Sequence, residues 1–316
     1  MAKASKKAVV AIPKKSFWTR AYRQRALFLM ALLPVVFIFI FQYVPIYGIL
    51  ISFKNYKGSK GVWGSAWLKP FYQNFLTFFK NVDCAKIIWN TLKIGTLTLL
   101  FTFPLPIVYA LLINEMRGKT YKKIVQTISY IPHFISIVVV CSMLHGFCSL
   151  NGFFNDIRVL FDLERVNLNA GPTNFMIMYI LSAVWQGVGW GSILYLSALT
   201  NVDTSLYDVA NIDGANRWQK MKNIAIPAIM PTITIVLIMN VGNVLSSDYT
   251  KILLLQNSTN MEATETIATY VYRVGILEGR FSYSTAVNLF QSIVCFILVY
   301  GANAITRKLS PENSMW

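Results

Sequence analysis

The sequence predicts an all-α membrane protein with six transmembrane helices, and three observations carry that expectation. Hydrophobic residues make up 55% of the 316 and charged ones only 13%, with a mean hydropathy of +0.50, a balance foreign to a soluble domain of this length. Six apolar stretches each reach the roughly 20 helical residues that a hydrocarbon core requires. Lys and Arg concentrate in alternate connecting segments, the asymmetry that sets membrane orientation.

Residues 1–26 form a basic cytoplasmic segment carrying Lys3, Lys6, Lys7, Lys14, Lys15, Arg20, Arg23 and Arg25. The apolar run at 27–53 is longer than the core of a secretory signal and ends without a small-residue cleavage site, so it reads as an uncleaved first span. The remaining spans are expected at 88–114, 124–149, 175–200, 224–245 and 282–306, giving a six-helix membrane domain over 27–306 and a cytoplasmic tail at 307–316. Arg117, Lys119, Lys122 and Lys123 fall in the first inner loop, Arg217, Lys220 and Lys222 in the second, and Arg307 and Lys308 in the tail. Both termini are therefore placed in the cytoplasm. The outer segment 54–86 runs against the trend with six lysines. The net charge of +16 follows this loop pattern rather than a single basic face, so nucleic acid is not the expected partner.

Several features between and within the spans have structural readings. Trp67, Phe71, Phe75, Phe78 and Phe79 recur at helical spacing, as in a short amphipathic helix of an outer aromatic belt. Pro34, Pro45, Pro104, Pro106, Pro132, Pro227 and Pro231 mark kinks. Gly187 and Gly191, four apart in the fourth span, suit close helix approach. Cys84, Cys141, Cys148 and Cys295 form no CxxC pair, and His133 and His145 lack metal-ligand spacing, so all six read as packing residues, with a Cys84–Cys148 bridge as the minor alternative.

Catalysis and ion coupling are disfavoured. Lys93 stands near one end of the second span and Asp248 just beyond the fifth, whereas proton- or sodium-driven carriers place ionisable groups deep in the bilayer. No internal repeat is visible, and no nucleophile–base pair or metal cluster lies in the spans. Gly118-Lys119-Thr120 imitates the end of a phosphate loop, but Ile113 occupies the position of its first glycine. Asn257-Ser258-Thr259 matches a glycosylation acceptor by chance frequency.

The inner segment 202–228 is different because several local signals agree. Ser205 and Asp208 have the spacing of a helix cap, Leu206, Val209 and Ala210 follow as a small apolar face, and Gly214 is a natural left-handed stop. A second helix fits 215–224, with Trp218 and Met221 beside Arg217, Lys220 and Lys222, before Pro227 and Pro231 open the fifth span. The result is a knob with an apolar ridge framed by charge, suited to a groove on a partner or, more plainly, a well-capped solvated loop. For a pathway, Asn288, Gln291 and Ser292 share one face of the sixth span, and Asn240 and Asn243 do so in the fifth; such groups suit sugar hydroxyls and helix-to-helix hydrogen bonds equally.

Asp208-Val209-Ala210, Gly214, Ile224 and Pro227 together resemble the EAA motif of ABC importer membrane subunits, with Asp for Glu and Val for the first Ala. NTLKIG from Asn90, IPHFIS from Ile131, WQGVGWGSI from Trp185, DGANRWQ from Asp213, YVYRVGI from Tyr270 and the closing ENSMW are similar to the LplB-like polysaccharide and multiple-sugar permeases, related to the membrane subunits of the maltose transporter. The resemblance implies a type I importer permease fold in the bacterial cytoplasmic membrane. It implies a heterodimer with a second six-helix permease, an ABC ATPase dimer that binds ATP and Mg while this chain binds no cofactor, and an extracytoplasmic solute-binding protein delivering an oligosaccharide or polysaccharide. Asp208, Val209, Ala210 and Gly214 would form the ATPase-coupling helix, with Arg217 and Trp218 supporting it. The alternative from another class is a non-conducting six-helix scaffold that anchors a partner protein.

Overall fold

The computed structural model describes residues 24–246 and 248–311; the basic positions from Lys3 to Arg23 and the closing ENSMW lie outside them. The chain divides into two units, Met1–Leu50 and Ile51–Trp316. Helix α1 (Arg25–Phe53) widens at Phe39–Tyr43, where the Val44 N–H reaches the Phe39 carbonyl five residues back. Pro45 follows at once: it has no N–H to offer and its ring crowds the carbonyl four residues before it, and a widened turn relieves that crowding.

The second unit opens on a two-residue ribbon, β1 (Lys54–Asn55) antiparallel to β2 (Ala66–Trp67), with Lys54 opposite Trp67. Lys54 is buried because its ammonium donates to the Val62 carbonyl (2.9 Å) and lies 4.8 Å from the Trp67 ring centroid. The short helix α2 (Gln73–Phe79) starts only after Pro70, and Trp67, paired with Lys54, is strand rather than helix. Phe78 is buried instead of joining an outer belt, packing with Cys84, Ile87, Ile267 and Tyr270.

The helices that follow are α3 (Cys84–Glu115), α4 (Lys119–Phe134), α5 (Ile137–Phe147), α6 (Phe153–Leu160), α7 (Pro172–Thr200), α8 (Thr204–Ile212), α9 (Arg217–Gly242), α10 (Tyr249–Leu255), α11 (Ile267–Leu277) and α12 (Phe281–Lys308). Among the described residues, α1, α3, α7, α9 and α12 are each long and apolar enough to cross a bilayer. The sixth crossing, expected as one helix at 124–149, is the pair α4 and α5, bent by 93°. Pro132 ends the α-helical ladder in a tight turn over Ile131–Phe134, and Ile135 and Ser136 are both extended. The carbonyl freed at Ile135 accepts a hydrogen bond from the Gln186 side chain of α7 (3.2 Å), so the break is satisfied by its neighbour rather than by lipid.

Helix α7 packs against α3, α4 and α9. Its closest approach falls at Gly189, where an added Cβ would lie 2.0 Å from the Ser129 carbonyl oxygen of α4. Gly191 also packs closely, 3.2 Å from Pro106, but Gly187 meets nothing within 4 Å, so the close-packing pair is Gly189 and Gly191. One apolar cluster joins α3, α7 and α9 through Ala110, Leu111, Tyr195, Leu199 and Ile229; another joins α3, α5, α7 and α10 through Ile94, Cys141, Phe175 and Ile252.

Two polar side chains of α3 organise the start of α11. The Thr91 hydroxyl accepts the Ile267 N–H (2.9 Å), and the Asn90 amide donates to the Glu262 and Glu265 carbonyls (both 3.2 Å). Both are buried, and each satisfies backbone that would otherwise lose its hydrogen bonds away from water. Cys84, Cys141, Cys148 and Cys295 are free thiols, the first three buried and Cys295 half-buried, so Cys84 and Cys148 form no bridge.

Candidate functional site

Helix α8 is closed at both ends by local hydrogen bonds. Asp203, not Ser205, is its N-cap: the carboxylate accepts the Ser205 N–H (2.9 Å), which with the Ser205 hydroxyl holds Asp203 below the usual carboxylate range. At the other end Gly214 is left-handed (φ +73°), the Gly214 N–H bonds the Asn211 carbonyl (3.2 Å) and the Ala215 N–H bonds that of Ala210 (2.9 Å). Those paired bonds are the Schellman stop that an L side chain at Gly214 would strain.

The next helix is capped reciprocally. Asn216 accepts the Gln219 N–H (2.9 Å) while the Gln219 side chain accepts the Asn216 N–H (2.7 Å), and the Lys220 ammonium reaches back to the Asn211 side chain. From Arg217 the helix runs without interruption into the span expected at 224–245, so the knob is one short helix hinged on the extended start of α9. A widened turn at Met221–Ala225 precedes Pro227, with the Ile226 N–H on the Met221 carbonyl.

The apolar ridge of α8 faces outward. Val209 is 57% exposed and Ile212 86%, Leu206 and Asp208 are exposed beside them, and Trp218 at the start of α9 is 68% exposed. Ala210 is half-buried, and Tyr207 turns inward, where burial and then the Glu115 carboxylate raise its hydroxyl above the usual range. The structure thus brings Asp208, Val209, Ala210, Gly214, Arg217 and Trp218 onto one compact projection.

A cavity of about 540 Å³ lies between α3, the α4–α5 break, α7 and the segment following α9. Helix α3 contributes Gly95, Thr98 and Thr102, the break contributes His133 and Ile135, and α7 contributes Tyr179 and Gln186. Asn240 and Asn243 line it from the end of α9, and Ser246, Asp248 and Lys251 close it beyond. Each asparagine donates its amide to a carbonyl four residues back, Asn240 to Val236 (2.8 Å) and Asn243 to Met239 (3.1 Å), which leaves the side-chain oxygens as acceptors.

The three polar residues of α12 lie elsewhere. Gln291 donates to the Leu245 carbonyl (2.7 Å) and the Ser292 hydroxyl to that of Asn288 (3.0 Å), and none of the three lines the cavity. Tyr179, Gln186 and Lys251 carry no pattern that periodicity detects. The signal for Lys251 was a single cation within the apolar run YTKILLL. Arg273 is bound by Glu265 (2.6 Å) and Glu278 (3.1 Å).

Comparison with known proteins agrees with this geometry. Residues 102–310 match the family described as binding-protein-dependent transport system inner membrane component. Protein LplB of Bacillus subtilis (strain 168) is 38% identical over 292 residues, 92% of this chain and 91% of that protein. The polygalacturonan/rhamnogalacturonan transport system permease protein YteP of the same organism is 38% identical over 301 residues, 95% and 93%. A chain of the bacterial alginate ABC transporter, solved in complex with an alginate pentasaccharide-bound periplasmic protein, superposes with a TM-score of 0.83 at 36% identity, covering 94% of this chain and 99% of that one. The chain belongs to the binding-protein-dependent transport system inner membrane components: it is a membrane-spanning permease of an ABC importer, resident in the plasma membrane.

Proposed function

We propose that this permease imports an oligosaccharide or polysaccharide, pairing with a second, different six-helix permease so that the two line one pathway. Two ABC ATPase subunits holding ATP and Mg dock on the cytoplasmic side, and an extracytoplasmic solute-binding protein delivers the sugar. Both termini face the cytoplasm in this reading, which puts residues 1–26, the loop 202–228 and the tail 307–316 on one side.

The observation that carries it is the α8 ridge, a doubly capped helix whose apolar residues face outward on the basic side of the molecule. A rigid helix with Val209, Ile212 and Trp218 unburied fits a groove on a partner, and closure of that partner would push on α9 through the Gly214 stop. The cavity adds amide oxygens and an aromatic face, the groups that recognise sugar hydroxyls and ring C–H faces. The names of similar proteins, which mention alginate and polygalacturonan, agree with a sugar cargo.

Affinity purification of the tagged chain from its native membrane in mild detergent, with mass spectrometry and stoichiometry, tests the assembly. One different permease and two ATPase copies are expected. Recovery alone, or only as a homo-oligomer under conditions that preserve other membrane complexes, would favour a non-conducting scaffold.

A further inference from the structure

Lys251 is 3% exposed, yet it lines the cavity. Its ammonium lies 4.9 Å from the centroid of the Tyr179 ring. No carboxylate is within ion-pair distance: among the described residues the ion pairs are Lys86 with Glu262, Arg165 with Asp156, and Arg273 with Glu265 and Glu278. Asp248, which lines the same cavity, is engaged otherwise, its carboxylate accepting the backbone N–H of Lys251 (3.2 Å) as the cap of α10.

A buried ammonium with no carboxylate in direct contact is costly, and the aromatic face together with the longer-range attraction of Asp248 offsets part of that cost. Such a group, facing a polar cavity, is placed for an anion that arrives from outside. The rest of the lining fixes what the anion is attached to. Asn240 and Asn243 offer oxygen acceptors to hydroxyl donors, and Tyr179 offers an apolar ring.

Resting on the importer reading, we propose that Lys251 binds the carboxylate of a uronate residue, so that the permease itself selects an acidic oligosaccharide and does not leave selection to the binding protein alone. The sugar hydroxyls donate to the asparagine oxygens while the ammonium donates to the carboxylate.

The test uses cells carrying the complete transporter, offered oligosaccharides from pectate, alginate and glucuronoxylan digests and the same digests after carboxyl reduction. ATP-dependent uptake of a uronate fraction, with its reduced counterpart at least about tenfold poorer, is expected for the wild type. Lys251→Met should lower uronate uptake about ten- to a hundredfold, the loss of one charge-assisted hydrogen bond, and Lys251→Arg should retain the preference. Assembly with the partner subunits is read in parallel, and the methionine variant should melt no lower than wild type, because the desolvation cost of a buried charge has been removed. Equal uptake of both forms, or a preference that survives Lys251→Met, overturns the proposal. If the methionine variant does not assemble, the wild-type preference and its retention by Lys251→Arg decide. An assembled wild-type complex that takes up neither form removes the importer reading and this proposal with it.

Discussion

His133 and Trp190 stack face to face, with ring centroids 4.5 Å apart and planes 2° from parallel. Phe134 adds an edge-on contact to the same indole (5.6 Å, 84°). The pair ties the broken end of α4 to the middle of α7, beside the Gln186 hydrogen bond to Ile135. A double-mutant cycle with His133→Ala and Trp190→Ala should give a coupling of about 0.5–1.5 kcal/mol, measured by thermal unfolding in detergent. Additive losses would mean that the stacking holds nothing.

Gly214→Pro should abolish transport while insertion and expression stay normal. Proline is fixed near φ −65°, opposite to the +73° found there, and it removes the N–H that bonds Asn211. Uptake by membrane-inserted variant checks it, and normal uptake would exclude this stop as a rigid link.

Val209→Glu and Ile212→Asp should each release the ATPase subunits in detergent purification and leave the melting temperature within the range of ordinary surface changes, about ±0.5 kcal/mol. Both side chains face outward, so the fold loses little. Retention of the ATPase by both variants would place the docking face elsewhere.

Gly189→Ala and Gly187→Ala should differ sharply. At Gly189 the new methyl meets backbone, the Ser129 carbonyl, and overpacking there should cost about 1–3 kcal/mol. At Gly187 it enters open space. Melting of the two purified variants decides, and equal effects would contradict the α4–α7 contact.

Much of the fold was legible because the bilayer imposes a simple rule: a crossing takes a long apolar helix. The capped helix α8 was legible because Gly214 and its neighbours act locally, although Asp203 took the cap that the Ser205 spacing offered, two residues being within ordinary boundary error. The break in the third crossing was visible only as Pro132; the 93° bend depends on Gln186, about fifty residues away, accepting the task of satisfying Ile135. The cavity was least legible. Asn240 and Asn243 could be found by spacing, but Tyr179 and Lys251 meet through the packing of α7 on α10, which no single segment encodes. Asn288, Gln291 and Ser292 share a helical face but do not line this cavity, Gln291 being buried against the Leu245 carbonyl.

The widened turn at Met221–Ala225 sets the phase of everything beyond it in α9. Each helical residue advances the wheel by about 100°, and a turn that closes on the fifth residue back in place of the fourth inserts one such step. A helical wheel drawn uninterrupted from Arg217 would therefore aim Asn240 and Asn243 about a quarter-turn away from the cavity they line. Pro227, two residues beyond that turn, has no N–H to return to it, and the widened turn thereby fixes the angular register between the capped end and the cavity end of one helix.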